Sequence, residues 1–141
     1  MKLSTKGTNA MLALFNMALI YPNKLVSINE LAMLSNISPK YLEQIFYSLK
    51  RDNIITSKRG AAGGYSFAKP LSRISVYEIL CSLEGTMEPV KCLNEVECSR
   101  AQVCRTKPIW NAMHTKMIIL MKSITLEQLV KDYGDNNETI N

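Results

Sequence analysis

The segment SINELAMLSNISPKYLEQIFYSLKRDN, residues 27–53, holds two helix starts so close together that the chain has few ways to fold there. Ser27 followed three residues later by Glu30 reads as a capping box: the hydroxyl accepts from the Glu30 backbone N–H and the carboxylate reaches back. It opens a short helix carrying Leu31 and Leu34 that ends near Asn36. Ser38 is a second N-cap, with Pro39 at the first helical position, where its missing N–H costs nothing. The second helix lines up Leu42, Ile45, Phe46 and Leu49, leaving Lys40, Tyr41, Glu43, Gln44 and Tyr47 to face elsewhere. Two short helices joined by a few residues make a helix-turn-helix.

A hairpin follows. IITSKRG and GGYSFAKP are strand-like runs flanking RGAAGG, whose glycines permit a tight loop with positive φ. Lys58 and Arg59 sit just before its tip. A helix-turn-helix with a basic-tipped hairpin is the layout of a winged helix, in which the second helix enters the major groove and the wing touches backbone or minor groove. Charge agrees with placement. The formal net charge is +5, and between Ser38 and Arg73 seven Lys and Arg residues face only Glu43 and Asp52, so this segment holds the whole excess. A solvated basic face is the plainer reading of such a run, but its position on probe and wing favours double-stranded DNA as partner.

The fold class expected is mostly α with a small β-hairpin. A first helix should run from about Thr5 to Tyr21, stopped by Pro22-Asn23, and SVYE at Ser75–Glu78 is another capping box for a helix that closes at Gly85. Pro108 opens a long helix with Trp110, Met113, Met117, Leu120, Met121 and Ile124 at helical spacing; TLEQ starts a short one from Thr125 to about Tyr133. The organisation expected is a winged helix-turn-helix domain over 1–85 and a cysteine-bearing sensor loop over 86–107. A dimerisation helix and short C-terminal helix over 108–133 then precede a disordered tail, 134–141. The apolar side of the long helix is most cheaply buried against a second copy, giving a homodimer; packing on its own domain is the alternative. The early run AMLALFNMALIY is interrupted by Asn16 and precedes no small-x-small cleavage site, so it reads as a packed helix and not as a signal peptide. No segment approaches the ~20 apolar residues of a membrane span. The expected location is cytoplasmic, without a membrane partner.

In a reducing compartment, clustered cysteines read as metal ligands or redox groups. CLNEVECSRAQVC, residues 92–104, spaces Cys92, Cys98 and Cys104 as C-x₅-C-x₅-C. Asn94, Glu95, Glu97, Ser99 and Arg100 around them argue against simple burial of three thiols. Structural zinc is a second reading, although zinc motifs usually pair ligands as C-x₂₋₄-C. An iron–sulfur cluster is the third, because it accepts three thiolates with a variable fourth donor. Cys81 has no spaced partner and reads as a core filler, as do Met113, Met117 and Met121. The chain has no C-x-x-C pair, one histidine and no Ser/His/Asp or phosphate-cradling set, which speaks against an enzyme.

MKLSTKG, YLEQIF, KRGAAGGYSFAKP and the evenly spaced cysteines before a Trp-bearing helix resemble the bacterial winged helix-turn-helix regulators of the IscR, NsrR and CymR type, over nearly the whole chain. The cysteine spacing looks most like the iron–sulfur-sensing, IscR-like branch. The resemblance implies a homodimeric transcription factor on a palindromic operator, with Cys92, Cys98 and Cys104 as cluster thiolates. It implies a 2Fe–2S rather than a 4Fe–4S cluster, which an aerobically prepared sample can lack. Lys40, Glu43 and Gln44 match the recognition-helix surface and Arg59 the wing arginine. Ser38, Tyr41, Lys50, Lys58, Gly60 and Tyr65 complete the expected DNA-contact set. Gln can donate to and accept from adenine, and Glu can accept from the cytosine amino group.

Two departures stand out. The histidine that IscR-like relatives place three residues after the third cysteine is Lys107 here, and a charged lysine has no lone pair to give. The acidic residue that NsrR-like relatives supply from the partner's first helix falls in Gly7-Thr8-Asn9. A fourth donor would come from Asn9 or Thr8 of the other subunit, His114, water or a small thiol. A regulator of the same family answering to a metabolite or partner protein, with incidental cysteines, is the alternative.

Overall fold

The computed structural model of the chain describes residues 3–90, 93, 100 and 102–138. Four serines fix where its first helices begin. Ser4, Ser27, Ser38 and Ser75 each accept the backbone N–H three residues ahead, at the starts of α1 (Thr5–Ile20), α2 (Ile28–Ser35), α3 (Pro39–Arg51) and α4 (Val76–Glu84). Asparagine ends two of them. Asn36 and Asn53 adopt φ of 52° and 56°, the left-handed conformation that a short polar side chain tolerates. At Asn36 that reversal lets Ile37 drop into the core before Ser38 starts α3. The turn of the helix-turn-helix is therefore built from a C-cap running directly into an N-cap.

Burial orients α3. Leu42, Ile45, Phe46 and Leu49 are wholly buried, meeting Leu14 and Met17 of α1, Leu31 of α2, and Ile54, Ile55, Ile74 and Ile79 beyond. Each such side chain contributes roughly 1.5–3 kcal/mol relative to exposure. Strands β1 (Ile55–Lys58) and β2 (Gly64–Phe67) pair antiparallel with Ile55 opposite Phe67 and Lys58 opposite Gly64. This is the winged-helix arrangement expected from the sequence. An unforeseen third rung comes from Val26, between α1 and α2, which exchanges both backbone hydrogen bonds with Tyr65 at 2.9 and 2.8 Å.

Helices α5 (Lys107–Ser123) and α6 (Leu126–Glu138) follow the cysteine segment. Their junction is sewn to the start of α4: Val76 N–H donates to the Ile124 carbonyl and Leu126 N–H to that of Ile74, both at 2.9 Å. Leu126 is thereby buried in the main core, and Tyr133 meets the Phe15 ring edge-on at 5.4 Å between centroids. So α6 lies on α1, and it continues past Tyr133, where the sequence suggested an end. The stripe foreseen on α5 divides. Met117 and Met121 pack with Leu80 and Cys81 of α4, whereas Met113 and Leu120 are more than half exposed, as are Ile109 and Ile119, which the sequence did not place in the stripe.

Two of the helix starts read from the sequence, at Ser27 and Thr125, make only half of a capping box. Glu30 accepts from the Tyr21 hydroxyl and so braces α2 on the end of α1. Thr125 accepts from the Gln128 N–H at 3.2 Å, but the Gln128 amide turns to Asp132 at 2.6 Å. The box at Ser75 is complete, with Glu78 accepting from the Ser75 N–H at 3.1 Å and from the Lys69 ammonium at 2.6 Å. Burial pulls the Glu78 carboxyl upward, but the Lys69 and Ser75 hydrogen bonds outweigh it and leave it below its ordinary 4.5. A depressed folded-state value means that Glu78 stabilises fully above that ordinary value and loses its contribution as pH falls through the lowered one. Glu78→Gln should lower stability by about 1 kcal/mol at neutral pH. In urea titrations from pH 7 to pH 3 the variant should close the gap to wild type, and a constant gap would show that the carboxylate charge is not what stabilises.

Candidate nucleic-acid interface

With its apolar stripe inward, α3 must present Lys40, Glu43, Gln44 and Tyr47 to solvent, and all four are exposed. Lys6, from the first turn of α1, joins them and Ser48 around one shallow hollow. Sequence reading missed Lys6, because only the packing of α1 on α3 brings it there. The wing tip stands beside this row with Lys58, Arg59 and Gly60 exposed and Gly60 at φ 108°.

Four of the foreseen contact residues have structural duties as well. The Ser38 oxygen accepts from the Tyr41 N–H at 3.3 Å, which still leaves its own proton free to donate. Tyr41 is half-buried against the core. Tyr65 packs edge-on against Phe46 at 5.0 Å; burial first, and the Glu43 charge second, raise its phenol above the usual tyrosine range. Lys50 donates to the Ser57 hydroxyl at 2.5 Å, tying the end of α3 to β1.

These contacts also refine the charge argument. Of the seven basic residues between Ser38 and Arg73, Arg51 pairs with Asp52 at 3.0 Å and Lys69 with Glu78 at 2.6 Å. The two Arg51 hydrogen bonds, at 3.0 and 3.1 Å, hold the Asp52 carboxyl at about 2. Lys40, Lys58 and Arg59 make no ion pair among the described residues. With Lys50 and Arg73, which also make none, the unpaired positive charge lies along α3, at the tip of the wing and just beyond the hairpin.

The wing holds its angle because β2 approaches Val26 closely. Gly64 has φ 150°, and a Cβ there would stand 2.6 Å from the Val26 carbonyl oxygen.

Of the three cysteines, Cys92 and Cys98 lie outside the described residues. Cys104 lies two residues before the N-cap of α5, its sulfur 3.5 Å from the Thr106 hydroxyl. That hydroxyl, the Thr106 backbone and then the Lys107 backbone and charge lower the thiol below its ordinary value. Lys107 cannot replace the missing histidine as a ligand, yet it favours the thiolate, the form that binds a metal. Cys104 therefore fits a thiolate ligand. Among the described residues no group of three or more His, Cys, Asp or Glu could hold a metal ion. Cys81 packs in the second core cluster, as expected.

A further link joins this region to α1. Glu84, the last residue of α4, accepts from the Ser4 N–H at 3.1 Å and the Ser4 hydroxyl at 2.5 Å, while that oxygen caps α1 by accepting from the Gly7 N–H at 3.1 Å. Gly7 is buried against Glu84, where a Cβ would strike the carboxylate. The entry to the cysteine segment and the turn bearing Lys6 are thus one hydrogen-bonded unit.

A capped helix-turn-helix, a basic β-wing and an outward polar row on the second helix define a winged helix-turn-helix regulator. The sequence profile of the Rrf2 family, described as an iron-dependent transcriptional regulator, matches residues 3–132, and the chain belongs to that family. It is 36% identical over 138 residues to the HTH-type transcriptional regulator IscR of Cereibacter sphaeroides, covering 94% of this chain and 88% of that one. Among solved structures it is similar to CymR, the global cysteine regulator of B. subtilis, with a TM-score of 0.75 and 28% identity over 93% of this chain and 97% of that one. T. potens IscR gives the same TM-score with 30% identity, covering 94% and 88%. The protein is a transcriptional regulator and not an enzyme. No described helix is long and apolar enough to cross a membrane.

Two measurements check this geometry. Gly64→Ala should cost roughly 1–3 kcal/mol in chemical denaturation through backbone strain and the Val26 contact, and an unchanged midpoint would mean that β2 lies farther from Val26. In reduced, metal-free protein near pH 7, Cys104 should be alkylated by iodoacetamide faster than Cys81, read by peptide mapping; equal rates would contradict the stabilised thiolate.

Proposed function

We propose that the protein works as a homodimer on a palindromic operator, with affinity controlled by an iron–sulfur cluster held by Cys92, Cys98 and Cys104. The observation that carries the DNA reading is the outward row of α3 beside unpaired Lys58 and Arg59. Lys40, Gln44 and Glu43 then meet base edges and Arg59 meets backbone or minor groove, with Ser38, Lys50, Lys58 and Gly60 placing the head on phosphates. Glu43 accepts from a cytosine amino group at a correct site and repels phosphate at a wrong one. The exposed Ile109, Met113, Ile119 and Leu120 of α5 support pairing with a second copy, which sets two heads one helical turn apart, about 34 Å.

Cys104 supports the cluster, since its sulfur is accessible and biased toward thiolate. Such a group supplies a redox- and iron-responsive charge whose presence depends on supply and oxidant. The chain's own part is mechanical. Reordering of the segment after Gly85 acts on Glu84, and Glu84 holds Ser4 and the first turn of α1, including Lys6. The two states then differ in operator affinity by about 1–3 kcal/mol if the coupling is of ordinary size. The likeness to CymR supports a second reading, in which a metabolite or partner protein is the effector and the loop carries zinc or nothing.

Anaerobic purification from iron-replete cells should give coloured protein containing iron and sulfide, and the cluster-loaded and stripped forms should differ in operator affinity. Colourless protein with zinc or no metal favours the second reading. Arg59→Ala should weaken DNA binding and reduce the slope of log K against log salt by about 1. Unchanged affinity would show that the wing does not touch the duplex.

A further inference from the structure

Tyr47 is 74% exposed, although it sits in the middle of the helix that carries the buried stripe. A lone exposed aromatic needs no explanation. Its position does. At about 100° per residue, Gln44, Lys40, Arg51 and Tyr47 fall within roughly 60° of one another and opposite the centre of Leu42, Ile45, Phe46 and Leu49. Glu43 and Lys50 lie off to one side, the side where Glu43 influences Tyr65 and Lys50 reaches Ser57 of the wing. The outermost line of α3 is therefore Lys40, Gln44, Tyr47 and Arg51, and Arg51 is held by Asp52. Tyr47 also shares its hollow with Lys40, Gln44 and Lys6.

We infer that Tyr47 is a specificity-determining residue that reads a thymine. The inference rests on the reading of α3 as the groove-entering helix. From Gln44 to Tyr47 the helix rises about 4.5 Å at ~1.5 Å per residue, close to the ~3.4 Å between successive bases of one strand. The ring thus meets the base pair next to the one that Gln44 reads. In the major groove the apolar feature of a base edge is the thymine C5-methyl, against which an uncharged side chain packs. An exposed phenol ring between Lys40, which meets a base edge, and Lys6, whose ammonium suits a neighbouring phosphate, fits that methyl better than it fits a charged or purely polar edge. Burying one methyl against the ring corresponds to about a fourfold gain in affinity per half-site.

The test uses the full chain and a duplex enriched by wild-type protein from a random pool. Each thymine of the half-site is replaced in turn by uracil, which removes the methyl alone. One replacement, next to the pair whose specificity relaxes in Gln44→Ala, should weaken wild type and Tyr47→Phe about fourfold per half-site. Tyr47→Ala should bind more weakly overall and be indifferent to that replacement, with an unchanged circular dichroism spectrum. Indifference of wild type at every thymine, or a full uracil penalty retained by Tyr47→Ala, would overturn the assignment. A loss in Tyr47→Phe that is equal on all duplexes would place the hydroxyl on phosphate and overturn it too. Failure to enrich any duplex would remove the groove-entering role of α3 itself, and Tyr47's with it.

Discussion

The burial of Leu42, Ile45, Phe46 and Leu49 is the constraint from which the rest follows. A helix with four fully buried side chains on one side has no freedom to roll, because any rotation would open a cavity and expose apolar surface together. Removing Phe46 alone would cost about 3–5 kcal/mol by the usual behaviour of buried aromatics. The identity of the outward row is thus dictated by the core, and the polar residues of α3 could vary widely without moving it. That separation lets one scaffold carry many sequence preferences.

The wing is held by a different device. Two strands of four residues make a marginal hairpin alone. Val26 adds a third rung at Tyr65, the Tyr65 ring packs edge-on against Phe46, and Lys50 bonds Ser57. Through these contacts the wing takes its direction from the same helix whose face it flanks. Probe and wing behave as one rigid head.

Much of this was legible in the sequence because capping chemistry is local. Ser38-Pro39 and Ser75 through Glu78 announce their helices within four residues, and the glycines around Ala61 and Ala62 announce the hairpin. What stayed hidden depends on contacts between distant residues. Nothing near Val26 signals a strand, nothing near Lys6 places it beside Gln44, and Glu84 meets Ser4 only because α4 crosses α1. The stripe on α5 was visible as a stripe, but its division between α4 and solvent was not, since periodicity does not say what covers a face. Lys107 shows a similar limit: the sequence marks it as a missing ligand, whereas the structure makes it a neighbour that favours the Cys104 thiolate.

The most direct measurement is hydroxyl-radical footprinting of side chains, read by mass spectrometry, with and without a selected duplex. Oxidation should fall at Pro39 and Tyr47 of α3 and at Arg59 of the wing, while Ile109 and Ile119 of α5 keep the reactivity they have in the free protein. Protection that spares α3 and the wing and falls on α5 would contradict the assignment of this face to DNA.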